Sequence, residues 1–196
     1  MLKKIIAFAV LGVFLGPVFA QTDTSLAARL ATMLELTRKK DWDGVMDYTY
    51  PKVFDVVARE EFKFDLENSF DNEETPLQFV EIKLKKIAPV FTHGNALYAK
   101  VFCSMFLSIK LEYKKGEAKE NFDPKQVTKL LKEQYGEENV QYDKIAEKYL
   151  VQSGCQMVAI RDQLSPNWTF MMYDDKGLAN EDLLSKEVVK KLVSYK

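Results

Sequence analysis

Leu97-Tyr98-Ala99-Lys100-Val101-Phe102-Cys103-Ser104-Met105-Phe106-Leu107-Ser108-Ile109-Lys110-Leu111 is the stretch that decides the fold. Leu97, Ala99, Val101, Cys103, Met105, Leu107, Ile109 and Leu111 fall on every second position and are all apolar. The residues between them, Tyr98 to Lys110, are mixed. A period of two sustained this long predicts one long β-strand with a core face and a second, less committed face. Upstream, Val80, Ile82 and Leu84 alternate with Glu81, Lys83 and Lys85, which predicts a half-buried strand with one wet face. Thr92-His93-Gly94-Asn95 lies between the two and reads as a hairpin turn, with Gly-Asn able to take positive φ. Core residues are even-numbered on the first strand and odd-numbered on the second. Paired positions must then sum to an odd number, which a loop of Gly94-Asn95, or of four residues from Thr92, satisfies. Pro89 donates no ladder hydrogen bond, so the first strand is an edge there or carries a bulge.

On the N-terminal side the period is helical. Leu26, Leu30, Met33 and Leu34 form one face of a helix from about Ser25 to Lys40, with Arg38-Lys39-Lys40 suiting its negative end. Asp41 is the expected N-cap of a short helix through Tyr48, and Pro51 opens a third carrying Val53, Phe54, Val56 and Val57. Phe62, Leu66 and Phe70 make a further helical stripe, ended by the polar run Asp71–Pro76. On the C-terminal side, Asp123-Pro124 starts and Gly136 stops a helix with the stripe Val127, Leu130, Leu131 and Tyr135. Three strands follow, at Asn139–Asp143, Tyr149–Ile160 with a kink at Ser153-Gly154, and Trp168–Tyr173; Asp182–Tyr195 closes the chain as a helix. The expectation is an α+β fold: N-terminal helices packed on a curved, cone-like antiparallel sheet, with a C-terminal helix, in a single domain over residues 21–196.

The first twenty residues read as an address. Lys3-Lys4 is a short positive start, Ile5–Leu15 an apolar run, and Val18-Phe19-Ala20 puts small residues before a cut between Ala20 and Gln21. This is the order of a secretory signal peptide. The run is too short to span a bilayer comfortably, and no later segment reaches the roughly 20 apolar residues a spanning helix needs. No Cys follows the apolar run, so a lipid anchor is not expected. The expected product is exported, periplasmic or secreted and not lipidated, with no membrane span after processing. Loss of Lys3 and Lys4 takes the net charge from −1 to −3.

Composition closes off several classes. With 28 Lys+Arg against 29 Asp+Glu in 196 residues, 47% hydrophobic and 12% aromatic, the chain can bury a core. It lacks the basic excess of a protein that grips nucleic acid through phosphates, so no nucleic-acid partner is expected. Two Cys do not make a disulfide-dense scaffold. Cys103 and Cys155 both fall in expected strands and are read first as core thiols. A bond would need their Cα atoms within about 7 Å, hence neighbouring strands in the right register or strands facing across the core.

The order of elements carries a resemblance. Asp41-Trp42-Asp43-Gly44 to Tyr50-Pro51, the hairpin of Val80–Leu111, and Trp168-Thr169-Phe170-Met171-Met172 before a final helix are similar to the nuclear transport factor 2-like superfamily, in particular to its small exported bacterial members. The resemblance covers most of Thr24–Lys196 and implies a cone-shaped α+β fold. That superfamily hosts isomerases, dehydratases and binding modules, so it does not fix function.

Few residues suit catalysis. His93, the only histidine, falls at the hairpin tip and reads as an exposed turn residue rather than a shielded base. One His and two Cys from separate segments do not space a zinc site, and no Gly-x-Ser-x-Gly, Gly-x-Gly-x-x-Gly or phosphate-cradling loop occurs. The acidic clusters Asp71–Glu74, Glu137-Glu138 and Asp174-Asp175 lack calcium-loop spacing. Glu81 is the one acid flanked by apolar strand residues, but parity puts it on the wet face with Lys83 and Lys85. Trp42, Trp168, Phe102, Phe106, Phe170 and Met172 could line an apolar pocket, though aromatics at structural spacing are read first as core. No catalytic, metal or cofactor residue is therefore expected. The expected function is an exported, non-enzymatic binding module for a small apolar molecule or a protein partner. An isomerase- or dehydratase-like enzyme with a carboxylate or Tyr inside the cone is the alternative, and an envelope scaffold the second. A homodimer through the sheet is the self-association the pattern suggests.

Overall fold

In a computed structural model, residues 24–71, 77–110, 123–174 and 183–195 are described. The N-terminal helices are α1 (Thr24–Lys39), α2 (Trp42–Tyr48), α3 (Val53–Val56) and α4 (Arg59–Phe70). Then come β1 (Leu77–Ile87), β2 (Phe91–His93), β3 (Ala96–Lys110), α5 (Pro124–Tyr135), β4 (Val140–Asp143), β5 (Lys148–Arg161), β6 (Thr169–Met172) and α6 (Lys186–Val193). The fold is α+β, with an antiparallel six-stranded sheet that does not close.

The local signals act where the sequence puts them. Asp41 Oδ1 accepts from Gly44 N at 3.0 Å and caps α2; Asp123 Oδ1 accepts from Lys125 N at 2.8 Å beside Pro124 and caps α5. Each supplies an acceptor to an N–H that the helix cannot pair internally. Gly136 ends α5 at φ +95, in the left-handed region that favours glycine. The β2–β3 hairpin pairs His93 with Ala96 across Gly94-Asn95. Gly94 takes φ +57; Asn95 is not among the residues with positive φ, so only the glycine uses that freedom.

β3 and β5 are the spine. Their ladder runs unbroken from Leu97 opposite Arg161 to Lys110 opposite Lys148, so the kink expected at Ser153-Gly154 is absent from the register. Each outer column is built from two separate strands. β1 and β2 share one side of β3, while β4 and β6 share the far side of β5.

The β1–β3 register bears out the parity argument for Ile82 and Leu84, opposite Met105 and Cys103, and corrects it at Val80. Phe79 lies opposite Leu107 but Glu81 opposite Phe106, and Leu84 opposite Cys103 but Lys86 opposite Phe102. Val80 and Lys85 are thus extra residues, and a third extra residue lies at Ala88-Pro89-Val90 before Phe91 pairs with Tyr98. Each insertion moves the following side chains to the other face. Phe79, not Val80, is therefore buried, and Val80 is 55% exposed; Leu84 lies on the core face opposite Cys103 yet is 44% exposed. Pro89 sits at the break, where no ladder N–H is required of it.

Odd-numbered side chains of β3 and β5 form the first sheet face and pack against α1, α2 and α4. Leu26, Leu30, Trp42, Val101, Leu107, Met157, Trp168 and Phe170 belong to this core. Burying large apolar side chains of this kind contributes about 1.5–3 kcal/mol each before conformational entropy is subtracted. Polar ties fix the helices to the sheet and to each other: Arg29 Nε donates to the Trp168 carbonyl at 2.6 Å and lies over the Tyr48 ring, while Trp42 Nε1 and Lys40 Nζ both donate to Asp71.

Candidate functional site

The second sheet face carries the even-numbered side chains of β3 and β5, and the described elements divide it in two. Near the hairpin end, α6 and the turn before it cover it with Leu184, Val188 and Leu192, packed on Tyr50, Val158, Ile160, Met171 and Tyr173. Ser185 caps α6 by accepting from Val188 N at 3.3 Å. Lys100, 1% exposed, marks the border. Its Nζ donates to the Tyr195 carbonyl at 3.2 Å and lies over the Phe102 and Tyr173 rings. A buried ammonium is held by such partners because an unpaired one would be costly.

Beyond Lys100 the rungs run Lys86, Phe102 and Gln156; then Lys83, Ser104 and Gly154; then Glu81, Phe106 and Gln152; then Gln78, Ser108, Leu150 and Gln141. Lys83 Nζ lies 5.4 Å from the Phe106 ring centre and pairs with Glu81 at 2.7 Å. Lys86 Nζ lies 5.7 Å from the Phe102 centre. Ser104 Oγ is buried with no hydrogen-bond partner among the described residues. A Cβ built on Gly154 would meet nothing within 4 Å, so the surface is open over that residue.

This half holds a groove of about 260 Å³. Val80, Phe106 and Leu150 give it an apolar floor, and Glu81, Glu138, Gln141 and Gln152 a polar rim. Exposed Val80 and Leu150 are held open to solvent by register. Val80 is a bulge residue, and Leu150 sits between Ser108 and Gln141, side chains too short or too polar to cover it. Glu138 makes no ion pair among the described residues, whereas its neighbour Glu137 pairs with Lys132 at 3.0 Å. A second groove, of about 250 Å³ between α1 and β1, is lined by Leu30, Leu34, Ile82 and Leu84 together with Glu35 and Arg38. Hydrogen bonds from Arg38 and then Lys39 pull the Glu35 carboxyl down to about 2.

The residues singled out in the sequence are dispersed. Trp42, Trp168 and Phe170 are core. Phe102 and Phe106 are half-buried on the second face, and Met172 is 60% exposed, so the core reading does not extend to these three. Leu130, expected on the apolar stripe of α5, is 63% exposed. His93 is exposed, its Nε2 3.2 Å from Ser185 Oγ. Glu81 stays on the wet face, tied to Lys83. Cys103 and Cys155 lie directly opposite on β3 and β5, Cα atoms 5.0 Å apart, and their sulfurs are joined. This corrects the expectation of two thiols: the neighbouring of β3 and β5 in this register is a tertiary fact that alternation does not encode. Ala20 and Gln21 lie outside the described residues, as do Leu111 and the acidic runs' Glu74 and Asp175.

A Tyr–acid pair does occur. Tyr50 Oη donates to Asp162 Oδ2 at 2.7 Å, and Asp162 Oδ1 accepts from Ser165 N at 2.9 Å. Burial first, then the hydrogen bond to the Asp162 carboxylate, pushes the Tyr50 hydroxyl above its ordinary value. Tyr50 is only 2% exposed, and neither groove is lined by it. The pair joins the α2–α3 turn to the β5–β6 loop and offers no room for a substrate. Among the described residues no group of three or more His, Cys, Asp or Glu converges as metal ligands, and no helix is long and apolar enough to cross a membrane.

The groove's members Gln141, Leu150 and Gln152 were not singled out by sequence reasoning, and Glu138 was weighed only as part of an acidic cluster without calcium-loop spacing. The signal was present in β5: Gln152, Gly154 and Gln156 alternate with Val151, Cys155 and Met157. No family model, no curated protein and no solved structure matches the chain.

Proposed function

We propose that the protein is an exported, non-enzymatic binding module that takes a small, largely apolar ligand on the half of the second sheet face not covered by α6. The observation that carries this reading is the groove itself: Val80, Phe106 and Leu150 present apolar surface to solvent beside Gln141 and Gln152. Apolar lining with a few polar groups to set orientation is the usual make-up of a ligand site. Export is supported by the order Lys3-Lys4, Ile5–Leu15 and Val18-Phe19-Ala20, and by the Cys103–Cys155 bond, since disulfides persist outside reducing compartments. N-terminal sequencing of the exported form is expected to begin at Gln21.

The test is a titration with indole followed by amide chemical shifts. Shifts confined to the rungs of Phe106 and Leu150, and abolished by Leu150→Lys with an unchanged melting temperature, support the reading. Shifts scattered over the surface, or unaffected by Leu150→Lys, overturn it.

A further inference from the structure

We infer that the groove selects an organic monocation, an amine joined to an aliphatic or aromatic body, over neutral and anionic ligands of the same shape. This rests on the binding reading above and adds the ligand class. Among the described residues, those lining the groove include two carboxylates and no cationic side chain. One carboxylate is compensated: Glu81 Oε2 lies 2.7 Å from Lys83 Nζ. The other, Glu138, is exposed and makes no ion pair among the described residues, so the rim carries one uncompensated negative charge beside the apolar floor. The turn Glu137–Asn139 fixes its place. Gly136 at φ +95 starts the turn, Asn139 Nδ2 is tied to the Tyr135 carbonyl at 2.8 Å, and Val140 enters the sheet directly afterwards. Glu138 is thus carried on a braced turn at the mouth of the groove. A ligand that lays its apolar body on Val80, Phe106 and Leu150 brings an attached ammonium toward Glu138, while the Gln141 and Gln152 amides accept its remaining N–H groups. An anionic isostere meets Glu138 with like charge.

The experiment compares phenethylamine, phenethyl alcohol and phenylpropionate at low ionic strength, where an exposed charge is least screened. Amide chemical-shift titration gives both the dissociation constant and the place of binding. The amine is expected to bind about threefold more tightly than the alcohol, the gain an exposed ion pair typically gives. Phenylpropionate is expected to bind more weakly than either. Glu138→Gln is expected to bring the amine to the alcohol's affinity while leaving the alcohol unchanged. Glu138 is exposed and unpaired, so this variant folds as the parent does, checked by its melting temperature. Three probes binding equally in the groove overturn the cation preference and leave the binding reading standing. An amine preference that survives Glu138→Gln overturns the role of Glu138. No binding in the groove by any probe overturns both readings.

Discussion

Cys103 and Cys155 face each other across the two central strands, Cα to Cα 5.0 Å, and their bond ties together segments 52 residues apart in the chain. Both are at least nine-tenths buried on the helix-covered face, so the bond lies within the core rather than on display. Closing a loop of that length in the unfolded chain is worth about 4 kcal/mol in the chain-entropy model, and measured values run to about 2–4. Urea unfolding of the oxidised protein is therefore expected to show about 2–4 kcal/mol more stability than the Cys103→Ala/Cys155→Ala variant. Reductant is expected to shift the parent and leave the variant unmoved. A parent insensitive to reductant in its unfolding midpoint shows that the bond contributes nothing.

Leu107 and Lys83 test the assignment of faces. Leu107 is 4% exposed on the core face, so Leu107→Asp buries a carboxylate without a partner and is expected to cost at least 4 kcal/mol or abolish folding. Lys83 is paired with Glu81 in an exposed setting, and Lys83→Ala is expected to change stability by less than about 1 kcal/mol. Comparable losses of melting temperature in the two variants would contradict the register.

Ser104→Ala probes the orphaned hydroxyl between Phe102 and Phe106. The hydroxyl is buried without a partner among the described residues, a state that costs about 1–3 kcal/mol relative to a satisfied group. Its removal is expected to leave stability unchanged or raise it by up to about 1 kcal/mol. A loss beyond 1 kcal/mol in chemical denaturation means that the hydroxyl is bonded in solution.

Tyr50 sets an alkaline limit. Burial and donation to Asp162 favour its neutral form in the folded state, so its folded pKa lies above the unfolded value near 10. The stabilisation is fully present below about pH 10 and falls as pH rises beyond it, because only the unfolded chain releases the proton there. Tyr50→Phe is expected to flatten the decline of stability above pH 10 and to leave its pH dependence near neutrality unaltered. In a tyrosinate absorbance titration, Tyr50 is expected to titrate last, with unfolding.

What was legible in the sequence is what depends on neighbours along the chain. Asp41, Asp123-Pro124 and Gly94 act within a few residues of themselves, so the helix starts and the two-residue hairpin follow from local chemistry. The even count of the hairpin loop was likewise fixed by parity. The extra residue at Ala88–Val90 and the one at Lys85 cancel, so parity holds from Glu81 to Leu84 and fails at Val80, because a bulge leaves no mark in a run that still alternates. The pairing of Cys103 with Cys155 and the exposure of Leu150 depend on which strands become neighbours, and Leu130 on which face α5 turns inward. Those are choices made by the packed core, not by local propensity.

The split outer column has a consequence for hydrogen exchange. The β4 ladder on β5 stops at Val151 and the β6 ladder begins at Met157, with the Tyr173 amide reaching the Gln156 carbonyl. Backbone groups of an antiparallel strand alternate in direction, so Gly154, like Gln156, points away from β3. Its amide faces the interval between the two short strands, while those of Ser153 and Cys155 face β3. Deuterium is therefore expected to enter at Gly154 on the timescale of an open loop, while the amides on either side keep their protons through the slowest opening of the molecule.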